Sequence, residues 1–248
     1  MKNLLFLHGM PNTAKSISGV IRDLSIKYNV INFDWMDNKS NLSELTDKFK
    51  EYVDPLDEYS VFGMDWGGII GPRVAYKFGK ADKIILCNTG LPDTQGCKFV
   101  FGNKPMECHI KNTTIEEFEH SLNNLSNGNA FINWVSYVQT NDVLNMKKII
   151  SILTYYEHNV DISDFAIHKD LPLLMDKDLK TSDLVKKFLE NFNNVFYIGS
   201  KNDPISSEGH KSFHFAKKKF FIHDSGHLAN LDQPKQLVKI ITSILENE

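Results

Sequence analysis

Gly63-Met64-Asp65-Trp66-Gly67 constrains the fold of this chain more than any other stretch, because its outer glycines let a strand turn sharply into a helix. Before it, Tyr59-Ser60-Val61-Phe62 is β-branched and aromatic and reads as a buried strand. After it, Ile70, Val74 and Phe78 recur every four residues, the spacing of one helix face. The pattern predicts a strand-turn-helix unit with Asp65 at the helix N-terminus, where backbone N–H groups favour an anion. An ionised aspartate there is a ready oxygen nucleophile at neutral pH, whereas a serine must first lose a proton. Taken alone, the same segment is equally a plain Gly-Asp turn.

Short apolar runs alternate with helical stripes along much of the chain, which predicts a mostly parallel sheet with helices on both faces. Strands are expected at Leu4 to Leu7, Val30 to Phe33, Ser60 to Gly63, Lys83 to Cys87, Val195 to Ile198 and Lys219 to Ile222. Ile17, Val20, Ile21 and Leu24 form one helical stripe, Leu42, Leu45, Phe49 and Val53 a second, and Leu237, Ile240, Ile241 and Ile244 a third that starts at Pro234. The alternation fails between about Leu91 and Phe192, where helical patterns follow one another without a credible core strand. This predicts a core of residues 1–90 and 193–248 and an inserted helical cap over 91–192. Cap helices are expected around Ile115, Phe118 and Leu122 and around Phe131, Trp134, Val135 and Val138, with Leu184 to Phe192 returning the chain to the core.

At 248 residues the chain is long enough to bury a large core, and a formal charge of -3 gives no reason to expect nucleic acid. The apolar start, Leu4 to Leu7, breaks at His8-Gly9, too early for a signal segment, and no later run is long enough to span a bilayer. Cys87, Cys97 and Cys108 are odd in number and lack metal spacing, so free thiols in a reducing compartment, the cytoplasm, are expected, with no metal site.

Three further segments fall at strand ends, and two of them complete, after Asp65, the order Asp, Asp, His of an α/β-hydrolase. His8-Gly9-Met10-Pro11, after the first strand, is a turn that could aim the Met10 N–H at the site and form an oxyanion hole with the Trp66 N–H. Ser225-Gly226-His227, after the last strand, offers a general base, with His223 as its nearest competitor. Gly199-Ser200-Lys201-Asn202-Asp203-Pro204 offers Asp203 to orient that imidazole, although Asn202 is the other residue in reach. Each segment alone has a plain turn reading.

With these segments in place, the chain resembles the haloalkane dehalogenases, in the subfamily whose triad acid follows the later strand and whose halide site uses two tryptophans. The resemblance spans nearly the whole chain. It is carried by His8-Gly9-Met10-Pro11, Gly63-Met64-Asp65-Trp66-Gly67-Gly68, Asn88-Thr89-Gly90-Leu91-Pro92, Ala130-Phe131-Ile132-Asn133-Trp134, Leu171-Pro172-Leu173-Leu174, Asp203-Pro204 and Gly226-His227. It implies an α/β-hydrolase fold in which Asp65 displaces halide from a haloalkane while the indole N–H groups of Trp66 and Trp134 hold the leaving halide. His227, held by Asp203, then activates water against the resulting ester, with no metal or organic cofactor and a detoxifying role.

Two departures accompany the resemblance. Gly199 to Asp203 is one residue longer than the family's usual spacing, and His8-Gly9 comes so early that the first two strands of the fold are absent. The strand near Val30 to Phe33 then becomes a sheet edge, which predicts either a monomer or a homodimer paired through that edge. Epoxide hydrolases share the Asp nucleophile but use two cap tyrosines, for which Tyr137, Tyr155 and Tyr156 are available. A catalytically idle small-molecule binder on the same fold is the third reading.

Overall fold

The structure, a computed structural model, describes residues 1–37, 40–92, 99–101, 104–106, 143–166, 179–203, 205–206 and 209–248. Elements are numbered in chain order among these residues.

A six-stranded sheet in the order β2-β1-β3-β4-β8-β9 forms the centre. Its strands are β1 (Asn3–Leu7), β2 (Asn29–Ile31), β3 (Tyr59–Met64), β4 (Ala81–Cys87), β8 (Val195–Ser200) and β9 (Lys218–Ile222), and every neighbouring pair runs parallel. The expected strands therefore all form, within two residues of the ends read from the sequence. Alternation along each strand divides the core in two, as a sheet buried on both faces requires. Leu5, Leu7, Val61, Ile84, Leu86, Val195 and Tyr197 line one face. Leu4, Phe6, Phe62, Met64, Ile85, Phe196 and Ile198 line the other.

Helices α1 (Ser18–Ser25) and α9 (Pro234–Asn247) cover the second face through Val20, Leu24, Leu237, Ile241 and Ile244. Each such fully buried aliphatic side chain contributes about 1.5–3 kcal/mol relative to exposure, so the stripe repeating from Leu237 holds α9 to the sheet. A charge at Ile241 would break that attachment. On the first face lie α2 (Leu42–Asp47), α3 (Lys50–Val53), α4 (Gly67–Phe78) and α6 (Leu179–Asn191). Asn41 starts α2 with a capping box, its side chain accepting from the Glu44 N–H while Glu44 accepts from the Asn41 N–H.

Two expectations are corrected. The stripe of Leu42, Leu45, Phe49 and Val53 is buried as one face but belongs to two short helices. The Phe49 N–H bonds back three residues to the Thr46 carbonyl, and Lys48 Nζ is drawn to the Trp35 carbonyl, which tightens the turn between them. The segment assigned to a helical cap contains a small antiparallel sheet, β5 (Leu91–Pro92), β6 (Phe99–Phe101) and β7 (Lys104–Met106). Strands of two or three residues carry too little alternation to be read. The same segment holds α5 (Val143–Leu153) and a single turn at Ile162–Asp164; the two cap helices around Phe118 and Trp134 lie outside the described residues.

Strand β2 lies at the sheet edge and, among the described residues, pairs with β1 alone. Among the described residues, no helix is long and apolar enough to cross a membrane.

Candidate active site

In the strand order 2-1-3-4, the chain leaves β1 toward β2 and later returns to the opposite side of β1 as β3. Connections diverge there, so a crevice opens above the carboxyl ends of β1 and β3. The loops that end those two strands carry Met10 and Asp65.

Asp65 sits in the turn between β3 and α4 with φ 52, a conformation that a side-chain-bearing residue rarely adopts. Surrounding structure over-determines it. The Asp65 N–H donates to the Cys87 carbonyl at 3.0 Å, and the Asp65 carbonyl accepts from the Gly68 N–H at 2.9 Å and from Thr89 Oγ1 at 2.8 Å. The turn also needs its flanking glycines for close approach: a Cβ at Gly67 would lie 2.1 Å from the Leu7 carbonyl oxygen, and one at Gly63 2.3 Å from the Gly67 oxygen.

The Asp65 carboxylate has different partners on its two oxygens. Oδ1 accepts from the Met10 N–H at 3.0 Å. Oδ2 faces His227 Nε2 at 3.2 Å. Gly9 makes the first contact possible, since a Cβ there would lie 2.3 Å from Asp65 Cβ. Trp66, immediately after Asp65, is buried and packs into the core cluster that contains Met10.

His227 is itself buried and presents Nδ1 to Asp203 Oδ2 at 2.9 Å. Burial alone would lower the imidazole pKa, but the charge and hydrogen bond of Asp203, with the contact to Asp65, push it up to about 10. That rise favours the protonated ring, in which both nitrogens donate to the flanking carboxylates. Asp203 is held by more than His227. Its Oδ1 accepts from the Ile205 and Ser206 N–H groups at 2.7 and 3.0 Å, and the Ser206 hydroxyl donates to Oδ2. Burial works to raise this carboxyl, yet His227 and the Ser206 donors keep it below the ordinary carboxylate value.

The choice between Asn202 and Asp203 is resolved by the backbone. The Lys201 N–H reaches the Ile222 carbonyl at 2.9 Å and the Asn202 N–H the Ser225 carbonyl at 3.0 Å, continuing the pairing past the end of β8. That extension absorbs the additional residue, leaves Asn202 exposed and turns Asp203 inward. His223 is exposed beyond β9 and does not reach the site. Trp134 lies outside the described residues. Trp35, by contrast, is wholly buried core, its ring centre 6.1 Å from that of Phe49.

Two polar residues at the site carry no sequence signal for their roles. Asn88, with φ 44, donates from Nδ2 to Ser200 Oγ and to the His227 carbonyl, each at 2.8 Å, and accepts the Ser200 N–H at 2.8 Å. It ties the ends of β4 and β8 to the histidine loop. Asn230, on α8 (Ala229–Asp232), donates to Asn12 Oδ1 at 3.0 Å and so links the same loop to the Met10 turn. Among the described residues, no group of His, Cys, Asp and Glu side chains is arranged to hold a metal ion, and Cys87 is a buried free thiol.

No protein-family model and no curated protein matches the chain. Solved structures do. The chain is similar to a meta-cleavage product hydrolase from Pseudomonas fluorescens, at 13% identity and a TM-score of 0.63, over 99% of this chain and 90% of that one. An esterase from Thermogutta terrifontis aligns at 15% identity and 0.64, over 99% and 89%, and a bromoperoxidase from Bacillus anthracis at 14% and 0.60, over 99% and 92%. The likeness covers nearly the whole of this chain and of these, and it shows that this protein has the α/β-hydrolase fold.

Proposed function

We propose that the protein is a hydrolase that works through a covalent ester on Asp65, and that its substrates are haloalkanes. The observation that carries this reading is the division of labour on one carboxylate, with Oδ1 on the Met10 N–H and Oδ2 against His227. An acyl hydrolase needs a neutral hydroxyl at this turn, whose proton the histidine removes. A carboxylate has no such proton to give, and its chemistry is displacement at saturated carbon.

In this reading Asp65 Oδ2 attacks the halogen-bearing carbon, the carbon–halogen bond breaks and the halide leaves with the bonding electron pair. The indole N–H groups of Trp66 and Trp134 are assigned to that halide through the family resemblance, since an indole donates without accepting. The ester then carries no charge, His227 loses its proton to solvent, and the neutral ring takes a proton from water as that water attacks Asp65 Cγ. Negative charge develops on Oδ1, where the Met10 N–H already lies, with the Trp66 N–H proposed as second donor. Collapse breaks the bond from Cγ to the ester oxygen, the imidazolium protonates the departing alkoxide, and the Asp65 carboxyl passes its proton to His227, restoring the imidazolium. The products are alcohol, halide and a proton.

Tyr155 and Tyr156, weighed for an epoxide-activating pair, are 50% and 43% exposed and stack edge-on against each other. Tyr137 lies outside the described residues. The test is to incubate a His227→Phe variant with a bromoalkane and digest it for mass spectrometry. An alkyl mass gain on the Asp65 peptide is expected; an unmodified peptide would refute the covalent route. Halide release from chloro-, bromo- and iodoalkanes, run beside an epoxide, tests the substrate class.

A further inference from the structure

The backbone on both sides of His227 is fastened to one segment of the chain. The Leu228 N–H donates to the Leu153 carbonyl at 3.0 Å, at the end of α5. The Gly226 N–H donates to Asp232 Oδ2 at 2.7 Å. The Asp232 side chain is wholly buried. It also accepts the Tyr155 N–H on Oδ2 at 2.8 Å, and the Tyr156 N–H and His158 Nε2 on Oδ1 at 3.1 and 2.8 Å. One carboxylate thus pins the residue before the base to the stretch that follows α5, while using no contact of its own with Asp65 or Asp203 in the chemistry above.

A buried carboxylate is a costly means of filling space, and a well-packed apolar side chain commonly serves stability better. What the carboxylate offers is direction: two oxygens, each accepting from two fixed donors, locate the loop in all dimensions. The 3.2 Å gap between His227 Nε2 and Asp65 Oδ2 depends on where that loop sits. We propose that Asp232 and His158 form a positioning clamp for His227, setting the ring at the distance needed to activate water against the ester. The clamp rests on the reading of His227 as the base of the second step.

That role separates the two half-reactions. Ester formation uses Asp65 and the halide site; ester breakdown uses His227. Wild type, D232N, H158A and H227F would each be mixed with a bromoalkane and quenched at intervals, with the Asp65 peptide followed by mass spectrometry and halide release followed in parallel. Folded content is set by circular dichroism. In D232N the amide nitrogen faces one pair of N–H donors and loses both bonds, so breakdown is expected to slow by about 10- to 100-fold, the cost of a misplacement approaching 1 Å. Formation should hold at the wild-type rate, so ester accumulates. H158A should show the same imbalance to a smaller degree.

Equal slowing of both steps would assign Asp232 a merely structural part and overturn the clamp, as would unchanged breakdown in H158A and in folded D232N. Should D232N fail to fold, H158A decides alone, and unchanged breakdown there overturns the clamp. Ester in H227F combined with that result refutes the clamp and leaves the proposed function standing. Absence of ester in H227F removes both.

Discussion

Removing the charge of Asp65 should lower the proton affinity of His227 by more than one and at most about three pK units. The imidazolium and the Asp65 carboxylate are in contact through Nε2 and Oδ2 at 3.2 Å. Their charge centres are then about 4 Å apart, where an effective dielectric constant of about 20 gives roughly 4 kcal/mol, or about three pK units. In the resting protein His227 is pushed up to about 10. Asp65→Asn keeps the shape of the side chain and removes the charge, as ester formation does in the proposed reaction, and should lower the ring from that raised value toward the range where a general base is most effective. Asp203, still ionised, keeps the value from falling further. In the proposed reaction the base is thus held protonated at rest and released by the first chemical step. The assay is NMR titration of proteins carrying ¹³C in the histidine rings, with the His227 signal identified among nine histidines by its loss in His227→Gln. A wild-type His227 titrating near 6.5, or an Asp65→Asn shift of less than one unit, would refute the reasoning.

Other consequences are local. Gly9→Ala places a Cβ 2.3 Å from Asp65 Cβ, so the carboxylate must move by about 1 Å, and turnover should fall about 100-fold with little change in circular dichroism. Asp203→Asn should leave ester formation intact while slowing ester breakdown by up to about 10⁴-fold, read by quenched-flow mass spectrometry. Asn88→Ala strands the Ser200 N–H and the His227 carbonyl, and thermal melts should show a loss of about 2–4 kcal/mol. His227 is raised above its ordinary 6.5, so its pairing stabilises the fold fully below that pH and is lost as pH rises through about 10. Asp203 is lowered, so its share is present above its ordinary 3.8 and is lost as pH falls below it. The melting temperature of wild type should accordingly exceed that of His227→Gln most between pH 3.8 and 6.5, with the difference closing toward pH 10.

The centre of the sheet was legible because β1, β3 and β8 are buried on both faces, which writes a nearly continuous apolar run into each of them, and the partly exposed β2, β4 and β9 keep a shorter apolar run. Elements of a single turn, such as α8, were not, since four residues show no period. The two short helices read as one stripe because a buried face survives a change of helical pitch. At the site, Asp65, Asp203, His227 and Met10 were found through strand-end position and glycine spacing, both local signals. Asn88 and Asp232 escaped because their partners are distant in sequence, Ser200 lying 112 positions from Asn88 and Tyr155 77 from Asp232. A lone polar residue acquires such a role only when folding closes that distance. The same holds for Asn202 against Asp203, where one additional residue is absorbed by backbone pairing that no side-chain pattern announces.

The central claim is that Asp65 itself supplies the oxygen of the product alcohol. A single turnover with enzyme in excess of a bromoalkane, carried out in H₂¹⁸O, tests it directly. The alcohol should contain ¹⁶O and the Asp65 peptide should gain one ¹⁸O, because water enters at Cγ and the original carboxylate oxygen departs with the alkyl group. Labelled alcohol with an unlabelled Asp65 peptide would mean that water attacks the substrate directly, and the covalent account would be wrong.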